Sequence, residues 1–526
     1  MFKKINDNKM KKIIYGAVAL CLGLVSVSCS SDYLDLYPEN STTPNVMFST
    51  TDNAKMAING MTRLMSQQYM KNQWFNGEGT IKTLYANFNG NDYQRAYNNA
   101  GLAVIANGGH MQNNTKDYDY YPWYYYYRII SNANSVVARI DGASGPQSER
   151  DFIKAQALTF RAYCYSMLVQ LYGKRWSDSN NGTTRGVVLR LDESKGDLPL
   201  STLGECYAQI YRDLDEAVAL FAASGLHRPE GKNHLPDLNV AYAVYARAAV
   251  NREDWTTAAK YAALAREGYP LMTNDEYKEG FNEPNREWIW SVYSSEKEST
   301  YYFQYFCYEG SNSTASWSKS RPALISKELF DQIPQSDLRR SLFLDPKNDA
   351  YDSKTCKAGT ALAARGRQEF DGRLNAATAI FAYMQAKQMT KYQYGVGDIN
   401  LFRSSEMYLI EAEADCHLGK EAEARQLLDQ LNAGSGRNAA YSCDKSGSAL
   451  LDEVRLYYRI ELWGEGHDWF NYKRWGLPIV RRSSANGGNF IQPYAVTISP
   501  EANDGWTWAI PNKESDYNSE VSAGAE

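Results

Sequence analysis

Two stretches of this chain repeat each other, and that repeat limits the fold more than any other feature. Apolar residues spaced three and four apart predict helices near 239–251 and 255–267, joined across Asn251-Arg252-Glu253-Asp254. The pattern returns near 401–418 and 421–432, joined across Leu418-Gly419-Lys420. Laid one on the other, Tyr242 meets Tyr408, Ala246 meets Ala412, and Ala258 meets Ala424. One small residue on each helix lets two antiparallel helices approach closely, so each stretch reads as a helix pair. Residues 152–172 with 203–222, and 449–463 with their sequel, extend this to four pairs. The connections between them are too long for a regular solenoid.

The rest of the chain fills in that frame. Met56, Ile58, Met61 and Leu64 mark a helix capped by Thr51 or Asp52; Trp123, Tyr126, Ile130 and Val137 mark another opened by Trp123. Ser148 with Asp151, and Thr202 with Glu205, read as capping-box starts. The prediction is a mainly α fold: a tetratricopeptide-like helical-pair scaffold with long irregular inserts and a few short strands, such as 288–293. Scaffold falls at about 50–72, 122–172, 202–268, 322–335 and 400–475, and inserts at about 74–121 and 273–321. The inserts are rich in Asn, Gly, Ser and Tyr, and their aromatic content argues against disorder. Loops of this length in a compact protein are usually functional.

Composition removes several function classes. Of 526 residues, Lys plus Arg number 56 and Asp plus Glu 61, a net charge of −5. There is no basic excess to hold a phosphate backbone, so nucleic acid is not an expected partner. The five His (110, 227, 234, 417, 467) show no paired spacing, and Cys164, Cys206, Cys307, Cys356, Cys416 and Cys443 no close spacing. No metal or cofactor is expected. Gly108-Gly109 lacks a phosphate-loop context, and there is no Gly-x-Ser-x-Gly elbow. Arg459, Glu461, Glu465 and Arg474 sit at helical spacing and read as structural ion pairs, not as an acid/base cluster.

What stands out is 40 Tyr beside 17 Phe and 12 Trp. A Tyr ring offers an apolar face and a polar tip, which suits surfaces both sticky and wet. Sugar rings want the same pairing: aromatic faces for their axial C–H groups and polar partners for their hydroxyls. Residues 85–126 supply Tyr85, Asn91, Asp92, Tyr93, Tyr97, Asn98, Asn99, Tyr118 and Tyr120; residues 293–317 supply Tyr293, Tyr301, Tyr302, Tyr305 and Trp317. Tyr124 to Tyr127 read as core. A glycosidase would need two carboxylates flanking one bond, and no such pair can be placed in these inserts.

The N-terminus reads as an export address. Lys9, Lys11 and Lys12 precede an apolar run from Ile13 to Val27, short for a ~30 Å hydrocarbon span but right for a signal peptide. Val25-Ser26-Val27-Ser28-Cys29 resembles a bacterial lipobox, so residues 1–28 are expected to be removed and Cys29 lipidated.

Longer motifs carry a family resemblance. Lys154 to Tyr163, with Leu171-Tyr172-Gly173, is similar to a helix that ends in Leu-Tyr-Gly in the RagB/SusD family. Arg403-Ser-Ser-Glu-Met-Tyr-Leu-Ile-Glu-Ala-Glu413 is similar to its Arg-x-x-Glu-x-Tyr-Leu-x-x-Ala-Glu segment, and Arg459 to Gly476 to its most distinctive stretch. Asn471 stands where the family usually has Asp, and an Arg is missing near Asp468. Ala509-Ile510-Pro511, followed by Glu514, resembles the family ending.

The resemblance implies a SusD-like α/α superhelix forming a single domain over 29–526. It also implies a non-enzymatic, lipid-anchored glycan binder on the extracellular face of the outer membrane, like the surface lipoproteins of Bacteroidetes. Ser30-Ser31-Asp32-Tyr33-Leu34-Asp35, behind Cys29, looks like their surface-export signal. The implied partner is a SusC-like TonB-dependent transporter. Asp92 lies where the family often has an acidic ligand residue, and Trp317 where an aromatic platform fits. The expected ligand-binding set is Asp92, Tyr93, Tyr97, Asn98, Tyr118, Tyr120, Tyr293, Tyr301, Tyr302 and Trp317. A SusD-like binder of peptides or glycoconjugates is the alternative.

Overall fold

The helix pairs are present where the repeat puts them. In the computed structural model, Leu238–Asn251 packs on Trp255–Ala265, Ser404–His417 on Glu421–Asp429, and the two pairs meet through Trp255–Ala265 and Ser404–His417. Ala246, Ala258, Ala412 and Ala424 are fully buried, so the small residues sit where the helices come together. The structure describes residues 44–97, 99–296, 304–392 and 395–521. Cys29, Asn98, Tyr301 and Tyr302 lie outside the described residues. The chain divides into an N-terminal unit, Met1–Met47, whose described part is the helical turn Pro44–Met47, and a main unit, Phe48–Glu526.

The centre of the main unit is the helix Gln147–Tyr172, which packs against Leu203–Ser224, Asp117–Arg139 and Thr51–Leu64. From Ala155 to Tyr172 every side chain is buried, as expected of a helix apolar on all faces. Arg161 is the charged exception. Its guanidinium reaches both Asp213 oxygens at 2.6 and 2.8 Å and the Asn134 side-chain oxygen at 2.9 Å, so it is buried fully partnered.

Two helix starts differ from the sequence reading. Gln147–Tyr172 begins directly behind Pro146, whose ring fixes the entry of the chain and offers no side-chain acceptor for a cap; Ser148 and Asp151 lie inside the helix. Thr51–Leu64 is capped by Thr50, whose hydroxyl accepts the Asn53 N–H at 3.2 Å. The Thr202–Glu205 capping box forms as predicted. The helix Asp117–Arg139 opens earlier than Trp123 and carries Pro122 inside it. Tyr85 Oη donates to the Tyr118 carbonyl that Pro122 cannot use (2.9 Å). Tyr172 Oη donates to the Asp119 carbonyl and accepts the Trp123 N–H (3.2 Å). Two tyrosine hydroxyls thus replace the rungs around the proline.

Strands among the described residues form five two-stranded antiparallel ribbons. Two matter for the site: Gln68–Tyr69 with Asn72–Asn76, and Tyr93–Arg95 with Ala323–Ile325. The expected strand near 288–293 is Trp288–Val292, paired with Ile399–Arg403. The six described cysteines are all free thiols.

The charged residues of the long motifs hold the scaffold together. Arg403 binds Glu287 and Glu461 at 2.7 Å each and Glu465 at 2.8 Å, Lys387 reaches Glu465 at 2.6 Å, and Arg339 reaches Glu461 at 2.7 Å. Burial pushes the Glu461 carboxyl up, but Arg403 and Arg339 overcome this and hold it well below the usual carboxylate range. Glu406 pairs with Arg247 (2.6 Å), Glu411 with Arg266 (2.7 Å) and Glu413 with Arg474 (2.5 Å). These are structural ion pairs.

Candidate functional site

A half-buried aromatic arc forms where three segments distant in sequence converge. The hairpin Gln68–Asn76 turns at Met70 and Lys71, both with positive φ (55° and 52°), the mirror-image turn that matches strand twist. Its returning strand presents Trp74 beside Tyr308, from the short helix Tyr305–Glu309, with the rings stacked at 5.5 Å. Trp317, on the short helix Ser316–Ser320, sets its edge against both, 5.1 Å from Trp74 and 5.7 Å from Tyr308. Tyr97 closes the arc 5.7 Å from Trp317.

The ribbon Tyr93–Arg95 with Ala323–Ile325 explains why Tyr97 and Trp317 meet. Arg95 pairs with Ala323, so the residues just after one strand face those just before the other. Arg321 occupies that corner, with its guanidinium carbon 3.8 Å from the Tyr97 ring centre and 4.4 Å from that of Trp317. It has no carboxylate partner among the described residues, and two ring faces hold its plane.

Beneath the arc lies a buried polar floor. Arg95 binds Glu309 at 2.8 Å and donates to the Tyr308 carbonyl, Tyr93 Oη donates to the same carboxylate at 2.8 Å, and Thr83 Oγ1 reaches it at 3.1 Å. Burial raises the Glu309 carboxyl above its ordinary range in spite of Arg95. This cluster fixes the backbone that carries Tyr308, and hence one wall of the arc.

The expected ligand residues separate into groups. Tyr97 and Trp317 are in the arc. Tyr93 is buried in the floor with its hydroxyl on Glu309 and presents no face to solvent. Asp92 is buried too: Arg459 binds both its oxygens at 2.6 and 2.8 Å and Ser326 Oγ donates at 2.9 Å, so it is a scaffold ion pair and not a free acidic ligand residue. Tyr118 lies half-buried with its ring against Phe75 at 5.4 Å. Tyr120 packs near Tyr124, away from the arc rings. Tyr293 is 44% exposed but meets His234, not the arc. Tyr85 and Asn91 are buried as well. Sequence reasoning missed Trp74, Tyr308 and Arg321. Trp74 stands at the very edge of the first insert and Tyr308 inside the second, so their aromatic rings were the available signal, while Arg321, directly before Pro322, carried none.

Comparison with known proteins fits this architecture. A family model described as starch-binding associating with outer membrane matches residues 32–249, and the SusD family model matches residues 294–524. Among solved structures, a SusD-like carbohydrate binding protein from Bacteroides vulgatus aligns at TM-score 0.73 and 22% identity, covering 90% of this chain and 98% of that one. A SusD superfamily protein from Bacteroides thetaiotaomicron aligns at 0.71 and 22% identity, covering 91% and 100%. A laminarin binding SusD-like protein aligns at 0.65 and 18% identity, covering 91% and 100%. A comparison with curated protein sequences returned no match. The two family models together take in most of the chain, including the pair Ser404–His417 with Glu421–Asp429 and all the rings of the arc, and the chain belongs to the SusD family.

Proposed function

We propose that this protein is a non-enzymatic, cell-surface glycan-binding lipoprotein that captures a poly- or oligosaccharide on the arc and delivers it to a SusC-like TonB-dependent transporter. The observation that carries this reading is the arc itself: Trp74, Tyr97 and Trp317, all half-buried rings, gathered around an Arg with no carboxylate partner among the described residues. Ring faces stack on the apolar faces of sugars, and the Arg321 donors suit their hydroxyls. Hydrolysis needs two available carboxylates about 5–10 Å apart. Glu309 in the floor of the arc and Asp92, next to Tyr93, are buried against Arg95 and Arg459. The fold shared with a laminarin binding SusD-like protein supports a sugar ligand.

Anchoring rests on Cys29 and the outer-membrane description of the matching family. No described helix is long and apolar enough to cross a membrane. A glycan array and affinity gels on the chain lacking residues 1–29 test the reading. Binding without release of reducing sugar supports it; sugar release by the purified protein, or no retention by any polysaccharide, overturns it.

A further inference from the structure

A second aromatic surface is carried by the helix Asp117–Arg139, whose Tyr124 meets Tyr69 of the hairpin that carries Trp74 at 6.0 Å. The rings of Tyr120, Tyr124 and Tyr127, one face of the helix Asp117–Arg139, form one wall of an open groove of about 450 Å³. That is in the usual range of small-molecule sites. The space among Trp74, Tyr308 and Trp317, by contrast, is about 10 Å³, since those rings close on each other and leave a platform.

The opposite wall, residues 190–195, is pinned in place. Asn134 Nδ2 donates to the carbonyls of Arg190 (2.9 Å) and Asp192 (3.1 Å), and Ser135 Oγ donates to Glu193 at 2.8 Å. Tyr127 Oη is tied to the Val188 carbonyl at 2.5 Å, and Arg128 donates to Tyr124 Oη at 2.9 Å. The groove therefore exists before any ligand arrives, which lowers the cost of ordering it.

Its charges are unequally used. The three carboxylates are engaged: Glu193 pairs with Arg139 behind the groove at 2.8 Å, Asp192 accepts the Ser194 N–H at 2.8 Å, and Glu514 accepts the Trp123 indole N–H at 2.9 Å. None of the four cations forms an ion pair among the described residues: Arg128 donates to Tyr124 Oη and Arg190 to the Gly196 carbonyl (2.9 Å each), while Lys195 is exposed and the Lys513 ammonium lies 4.4 Å from the centre of the Tyr120 ring. We infer that this groove is a second saccharide-binding site, separate from the arc, whose ligand is a sugar carrying an anionic carboxylate or sulfate group. Ring faces supply stacking, and the unpaired cations supply charge-assisted donors for the anion.

The inference rests on the glycan-binding reading but fails separately from it. Oligogalacturonate, dextran sulfate oligomers and neutral dextran oligomers are titrated into the mature chain and two variants, Lys195→Ala/Lys513→Ala and Trp317→Ala. Both lysines are exposed, so the double variant keeps its melting temperature. The expected result is that an anionic probe binds, that its affinity falls with added salt, and that the double variant loses tenfold or more while Trp317→Ala leaves it unchanged. Binding of oligogalacturonate alone assigns a carboxylate, and of dextran sulfate alone a sulfate. The groove is refuted if neither anionic probe binds, or if Trp317→Ala abolishes their binding and the double variant does not. A neutral glycan still held through Trp317 would then leave the arc reading standing.

Discussion

Trp317 carries two loads at once. Its indole touches Trp74, Tyr97 and Tyr308, and its ring supports Arg321. Trp317→Ala should therefore weaken glycan binding by about 1–3 kcal/mol, with nucleobase stacking as the nearest measured analogue. It should also lower stability by about 2 kcal/mol, since a large ring leaves a half-buried site. Titration calorimetry and thermal melts check both; unchanged affinity with a large stability loss would make Trp317 a packing residue only. His110 gives a residue-level acid limit. Burial lowers its imidazole to about 3, between the rings of Tyr85 and Trp508. Between about pH 6.5 and 3 the unfolded chain takes up a proton there that the folded chain refuses, so stability falls as pH falls. In urea melts across that window, His110→Phe should lose less stability toward acid than the parent; parallel curves would count against it. Single residues were also where the sequence misled. Asp92 resembled a ligand residue because nothing nearby in the chain shows that Arg459, far away, claims both its oxygens.

At the scale of elements, the helix pairs were legible because their period and small residues are local signals, and Ala246 and Ala412 sit buried as the repeat required. The caps were readable only where the side chain itself caps, as at Thr202. The arc was half legible. Tyr97 and Trp317 are aromatic residues in inserts, but Trp74 depends on a turn of Met70 and Lys71, neither a usual turn residue for positive φ. The Arg321 stack depends on the Tyr93–Arg95 pairing with Ala323–Ile325, which no short-range pattern announces. The continuation of the helix through Pro122 was hidden as well, because tyrosine hydroxyls from Tyr85 and Tyr172 complete it. Tyr172→Phe should therefore cost about 1–3 kcal/mol, the penalty for leaving the Asp119 carbonyl and Trp123 N–H unpaired in the core. Chemical denaturation measures this; a change below 0.5 kcal/mol would mean that water takes the hydroxyl's place.

For the whole molecule, the proposal joins a lipid anchor, a glycan platform and a transporter. Cys29→Ala should release the protein from the membrane fraction with its fold unchanged; acyl-probe labelling of the variant would sink the anchor. A C-terminally tagged protein, isolated from native membranes in mild detergent, should bring a barrel of larger mass with it. If it runs alone where other outer-membrane complexes survive, delivery to a transporter is wrong and a free-standing surface binder remains. One feature of the arc reaches further. Its rings come from residues 74, 97, 308 and 317, and the two from one segment, Tyr308 and Trp317, complete the arc only with Trp74 and Tyr97 brought from elsewhere, with the Tyr308 backbone held by Arg95 of the floor. A chain still in transit to the surface thus has nothing for a glycan to grip, and capture begins only once the last of these segments has docked. Ligand must then protect the finished protein alone, raising its melting temperature in proportion to the logarithm of glycan concentration.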